Sequence, residues 1–117
     1  MKTFTKLIIP HNSFIHLVDY DDILYCQSDN CYTYVHLISG ERFILIKSLS
    51  KVEKLLNVEG FIRINQSFLV NRHYIKTINK KEKNISLSNE AVLPFTVPLK
   101  KLIGLINQYE VTHPTFQ

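Results

Sequence analysis

The chain has no tryptophan, one methionine, two cysteines, three glycines and four prolines among its 117 residues. So little glycine and proline leaves no low-complexity tract and no flexible linker. With this length it points to one domain over residues 1–117, with a loose tail at 111–117. The cysteines, Cys26 and Cys31, have no second pair and no His-x-x-His beside them. A structural zinc site wants four ligands, so two free thiols are expected, with a redox role for Cys31 as the alternative. The apolar runs, such as Phe43-Ile44-Leu45-Ile46, fall far short of the roughly 20 residues of a membrane span. Leu7-Ile8-Ile9 stops at Pro10, too soon for a signal-peptide core. A soluble cytoplasmic protein without a membrane partner is the expectation. Catalytic motifs are missing too. There is no Gly-rich phosphate loop, no G-x-S-x-G, no H-E-x-x-H and no EF-hand loop. Asp19, Asp21 and Asp22 lack a following bidentate Glu and read as a solvated turn. The histidines at 11, 16, 36, 73 and 113 are scattered. No enzyme activity, no metal and no cofactor are expected.

What is present is apolar side chain (45%), enough for a core, and unevenly placed charge. Residues 1–59 carry six Lys/Arg and seven Asp/Glu, a net of −1, whereas residues 60–101 carry eight Lys/Arg against Glu82 and Glu90, a net of +6. Glu110 brings the total to +4. A field polarised in this way suits an anionic partner, either nucleic acid or a membrane surface, although basic side chains also solvate edge strands.

Strand signals dominate the chain. Lys6–Ile9 and Phe14–Val18 flank the turn cluster Pro10-His11-Asn12-Ser13. Ile23–Cys26 follows, then a turn at Ser28-Asp29-Asn30. Residues 32–46 read as a hairpin turning at Gly40, which supplies a positive φ. Leu49, Val52, Leu55 and Leu56 recur at helical spacing behind Ser48 or Ser50 as cap. Phe61–Ile64 reads as a short strand. Ile75–Ile78 and Ile85–Leu87 form a second hairpin around the basic turn Asn79–Asn84. Ala91–Val97 is a last strand, and Pro98 opens a helix lined by Leu99, Leu102, Ile103 and Ile106. The expected fold is therefore mainly β with two short helices.

The densest chemistry lies in residues 61–73, FIRINQSFLVNRH. Phe61, Ile62, Ile64, Phe68, Leu69 and Val70 can anchor the stretch to a core. Arg63, Asn65, Gln66, Ser67, Asn71, Arg72 and His73 can donate or accept hydrogen bonds, and no acid interrupts them. Asn and Gln carboxamides can pair with an adenine edge in bidentate fashion. Each residue also has a structural reading. Asn71 can close a turn through its own side chain, Arg63 can pair with a carboxylate at the core edge, and Ser67 can cap a turn. Gln66 has the least structural reason to be where it is.

Residues 61–75 resemble the signature of the LytTR family, approximately F-x-R-x-H-x-S-aromatic-apolar-V-N-x-x-x-I. Phe61, Arg63, Ser67, Phe68, Val70, Asn71 and Ile75 fall in register, while Asn65 stands where the family usually has His. Asp22-Ile23-Leu24-Tyr25, Asn30–Val35, Leu49–Leu56 and Leu93-Pro94-Phe95-Thr96 resemble further family segments, so the likeness covers about residues 5–108. It implies an elongated, antiparallel β fold that places loops, rather than a recognition helix, into successive major grooves of double-stranded DNA. It also implies a bacterial transcriptional regulator, the output domain of a two-component response regulator. The expected partners are promoter DNA, often as paired direct repeats bound by two protomers in a homodimer on DNA, and a sensor kinase or receiver domain as input. Three reading loops are implied: Ser28–Tyr32, Asn65–Ser67 and the region after Thr96. Asn30, Cys31, Arg63, Asn65, Gln66, Ser67, Arg72, His73, Lys83, Lys100 and Lys101 are the expected DNA-binding residues. In the third loop Val97-Pro98 replaces the family's usual Arg, which favours a phosphate contact from Lys101 over base reading there. The competing reading is a protein-interaction module that keeps this fold without base-specific contacts.

Overall fold

Strand-by-strand alternation sorts the apolar side chains into two cores on opposite faces of one sheet. The computed structural model describes residues 6–56 and 60–107, and the expected loose tail at 111–117 lies outside them. In chain order the elements are β1 (Lys6–His11), β2 (Phe14–Asp19), β3 (Ile23–Asp29), β4 (Tyr32–Leu37), β5 (Arg42–Leu45), α1 (Leu49–Leu55), β6 (Phe61–Arg63), β7 (Phe68–Asn71), β8 (Ile75–Asn79), β9 (Asn84–Leu87), β10 (Val92–Pro94) and α2 (Leu99–Ile106). The strands form three antiparallel sheets: the hairpin β1-β2, the sheet β10-β9-β8, and a central sheet in the order β5-β4-β3-β7-β6. The molecule is elongated, 51 × 37 × 23 Å. The expected mainly β architecture with two helices is the one observed.

Neighbouring residues of the central strands point to opposite cores, which explains runs that do not alternate in polarity. Ile23, Cys26 and Leu69 face a core closed by Leu7, Ile9 and Val18 of the hairpin and by Leu49, Val52 and Leu56 around α1. Leu24, Ile62, Ile64 and Val70 face a second core closed by Ile85 and Leu87 of β9, Leu93 and Phe95, and Leu102 of α2. Asn71, at the end of β7, is buried. Its Nδ2 donates to the Ile23 carbonyl and its Oδ1 accepts from the His73 amide, closing a 3-10 turn over Arg72–Tyr74.

Several boundaries differ from expectation, each for a local reason. Pro10 lies inside β1, which tolerates it because β1 pairs on one side only, so the turn shrinks to Asn12-Ser13. Asn12 supplies the left-handed φ of 58° there. Ala91–Val97 contributes only Val92–Pro94 as strand, since the chain then leaves the sheet to meet residue 64. Pro98 is the N-cap of α2 rather than its first residue. Leu55 and Ile103 are exposed, and Leu105 packs on the second core in place of Ile103.

Candidate nucleic-acid interface

The loop between β6 and β7 is held by its own side chains. Asn65 Oδ1 accepts from the amides of Ser67 (2.7 Å) and Phe68 (2.9 Å), an Asx-type turn. Its Nδ2 donates to the Pro94 carbonyl at 2.7 Å. Arg63 closes the loop from behind: Nε donates to the Asn65 carbonyl at 2.9 Å and Nη2 to the Gln66 carbonyl at 2.8 Å. Its third nitrogen, Nη1, meets Glu53 Oε1 of α1 at 2.9 Å. Gln66 and Ser67 remain, both exposed. Among the described residues no side-chain partner holds the Gln66 carboxamide or the Ser67 hydroxyl.

Backbone hydrogen bonds stitch this loop to its neighbours. The Ser67 carbonyl accepts from Ser28 N at 2.9 Å, continuing the β3–β7 pairing into the β3–β4 turn. The Ile64 carbonyl accepts from Thr96 N at 2.9 Å, and the Lys83 carbonyl from Phe95 N at 3.1 Å. The turn 28–31, the loop 64–67, the segment 94–98 and the β8–β9 turn therefore line one edge of the molecule. Asn30, with φ 57°, makes the tight turn that leaves its own side chain and that of Cys31 exposed at the tip. Asn tolerates this conformation better than other residues with a Cβ. Lys80, Lys83 and residues 95–99 border a hollow of about 190 Å³. Lys100 and Lys101 are exposed on the first turn of α2.

Nine of the eleven expected residues thus belong to this edge or its bracing: Asn30, Cys31, Arg63, Asn65, Gln66, Ser67, Lys83, Lys100 and Lys101. Arg72 and His73 do not. They follow the far end of β7, roughly 16 Å of extended chain from Ser67. Arg72 Nη1 donates there to the carbonyls of Leu105 and Ile106 in the last turn of α2. Residues 61–73 are therefore not one surface, because a strand buried on both faces separates their two polar ends. Arg63 takes the structural alternative, paired with a carboxylate at the core edge, and the Asn65 carboxamide is committed within the fold.

Two residues near this edge escaped the sequence reading. Glu53 lies on α1, ten positions before the Arg63 with which it pairs. Lys47 is exposed and lies beside the 28–31 turn, because Thr33 pairs with Leu45 and Thr33 Oγ1 donates to the Lys47 carbonyl at 2.8 Å. No local motif marks either one, since both depend on strand register and helix packing.

On the sheet face next to the turn, Tyr34 OH donates to Asp29 Oδ2 at 2.8 Å and carries the Arg42 guanidinium over its ring at 4.5 Å. The Asp29 hydrogen bond and charge push the Tyr34 phenol up. His36 stacks on Tyr25, with ring centroids 4.3 Å apart, and burial followed by the Arg42 charge lowers its pKa. Among the described residues no group of three or more His, Cys, Asp or Glu could hold a metal ion, and no helix is long and apolar enough to cross a membrane.

The chain is 32% identical over 79 residues to a sensory transduction protein LytR from Staphylococcus saprophyticus, covering 66% of this chain and 31% of that protein. It is 26% identical over 109 residues to a heme-containing CO-sensing transcriptional regulator, RcoM 2, from Paraburkholderia xenovorans, covering 86% and 40%. The chain thus spans well under half the length of these relatives. Its fold matches a solved LytTr DNA-binding domain from Bacillus cereus with a TM-score of 0.71 at 22% identity, over 87% of this chain and 95% of that one. The family model of the LytTr DNA-binding domain matches residues 13–103, which include every strand from β2 to β10 and the loops just described, and the chain belongs to the LytTR family of DNA-binding domains.

Proposed function

We propose that this domain gives a bacterial transcriptional regulator its sequence preference by inserting the 28–31 and 64–67 loops into the major groove of promoter DNA. The observation that carries the reading is the exposed, unheld Gln66 carboxamide at the centre of a loop braced on every other side. A carboxamide in that situation can pair bidentately with adenine N6 and N7. Neither helix competes for the role: α1 packs on the first core and α2 on the second. Ser67, Lys47, Lys83, Lys100 and Lys101 supply phosphate contacts, which position the domain without specifying sequence. Arg63 and Asn65 shape the loop, while Arg72 and His73 serve the opposite end. Two protomers on paired direct repeats, with a receiver domain or sensor kinase as input in the cytoplasm, complete the proposal.

Selection of bound duplexes from a random pool, followed by fluorescence anisotropy, tests this. With about five phosphates neutralised, log Kd against log salt should have a slope of magnitude near 4 to 5. Gln66→Ala should flatten the preference among sequences and leave non-specific affinity nearly unchanged, whereas Lys101→Ala should weaken all sequences alike. Equal affinity of the wild type for selected and scrambled duplexes would refute base reading and favour an interaction module that kept the fold.

A further inference from the structure

We propose that Glu53, a helix residue outside the loop edge, is a positioning residue for sequence discrimination, acting through Arg63. The inference rests on the base-reading role of the 64–67 loop. Arg63 has three hydrogen-bonding nitrogens in a planar fork, and all three are used: Nε on the Asn65 carbonyl, Nη2 on the Gln66 carbonyl and Nη1 on Glu53. The first two bonds define a line, about which the guanidinium could still tilt with the loop. The third ties that plane to α1, whose Leu49, Val52 and Leu56 are buried in the first core. The orientation of Gln66 is thereby referenced to a rigid element rather than to the loop alone. Precision of this kind decides whether a bidentate contact is made.

Glu53 also restrains a cation. Arg63 is the only Lys or Arg in the 61–67 segment. Without its carboxylate the guanidinium can swing toward a phosphate, which adds non-specific affinity while releasing the Asn65 and Gln66 carbonyls. Specific and non-specific binding then move in opposite directions. A residue that merely stabilised the fold would shift both in the same direction.

The test compares Glu53→Ala with Glu53→Gln in the whole domain. Both remove one negative charge, but glutamine keeps an acceptor oxygen within reach of Arg63 Nη1, so their difference isolates the brace from bulk charge. Anisotropy titrations on the selected and a scrambled duplex give the specificity ratio, and ¹⁵N relaxation of the free protein reports the order of residues 65–67. Glu53→Ala should lower the ratio about fivefold, as loss of a well-oriented ion pair allows. It should also steepen the non-specific salt slope by roughly one phosphate contact and reduce order in the loop. Glu53→Gln should retain most of the wild-type ratio. An unchanged ratio in Glu53→Ala, an equal loss for both duplexes, or an equal effect of the two variants would overturn the proposal. If the wild type itself shows no sequence preference, the base-reading conclusion fails first. In that event the relaxation data still show whether Glu53 orders the loop.

Discussion

Asn65 and Gln66 are adjacent carboxamides of similar chemistry, yet the structure assigns them opposite consequences. Replacing Asn65 by alanine removes three hydrogen bonds, those from the Ser67 and Phe68 amides and the one to the Pro94 carbonyl. A neutral bond of this kind contributes about 1 kcal/mol net, and water can reach part of this site, so the expected loss is about 2 kcal/mol. For a domain of this size that corresponds to a fall in Tm of roughly 6–10 °C. Asn65→Ala also removes one of the bonds that tie the 94–98 segment to the loop, leaving the Thr96 amide on the Ile64 carbonyl, so its loss of DNA affinity should extend beyond specificity. Gln66→Ala removes no side-chain bond within the described residues, and its unfolding free energy should stay within about 0.5 kcal/mol of wild type. Thermal unfolding followed by circular dichroism, with urea titration as a check, measures both. A destabilisation by Asn65→Ala below about 0.5 kcal/mol would show that water replaces the three bonds at no cost and would remove the structural role given to this side chain.

Arg72→Ala should lower stability by about 1 kcal/mol through loss of its bonds to the last carbonyls of α2, while the ratio of specific to non-specific DNA affinity stays as in wild type. A drop in that ratio would return Arg72 to the reading surface. Cys26 is buried, which pushes its thiol up to about 12, and Cys31 is exposed. Iodoacetamide at pH 8 should therefore alkylate one thiol in the native domain and two in denaturant, and bound DNA should slow the native reaction at Cys31. His36 has a lowered pKa when folded, so protonation favours the unfolded chain. Its effect on stability is absent above the unfolded value of about 6.5 and grows as pH falls below it, until the folded ring also protonates. His36→Gln should flatten the urea stability profile in that acidic window, and an unchanged slope would place the titrating group elsewhere.

Much of the fold was legible because its signals are local. Gly40 with a φ of 96° marks one hairpin, Ser48 caps α1 through the Lys51 amide, and the apolar spacing of residues 49–56 lies behind them. Asn71 was legible as a turn-closing side chain because that bond spans only two residues. Less legible were exposures such as Leu55 and Ile103. Helical period names a face, but the width of the neighbouring layer decides how much of that face is covered.

For the candidate site, the residues alone marked a basic, acid-free stretch with Gln66 in it, and the family motif pointed to DNA. Charge and hydrogen-bonding chemistry are properties of residue type and need no coordinates. Tertiary structure alone decided how the stretch divides. Arg63 turns inward because Glu53, ten positions earlier, lies across from it. Asn65 is committed because Pro94, twenty-nine positions later, passes beside it. Arg72 falls at the far end because β7 is a central strand that carries the chain across the molecule. Each of these is a contact between segments distant in sequence, so it depends on strand order and register rather than on the residues' own preferences.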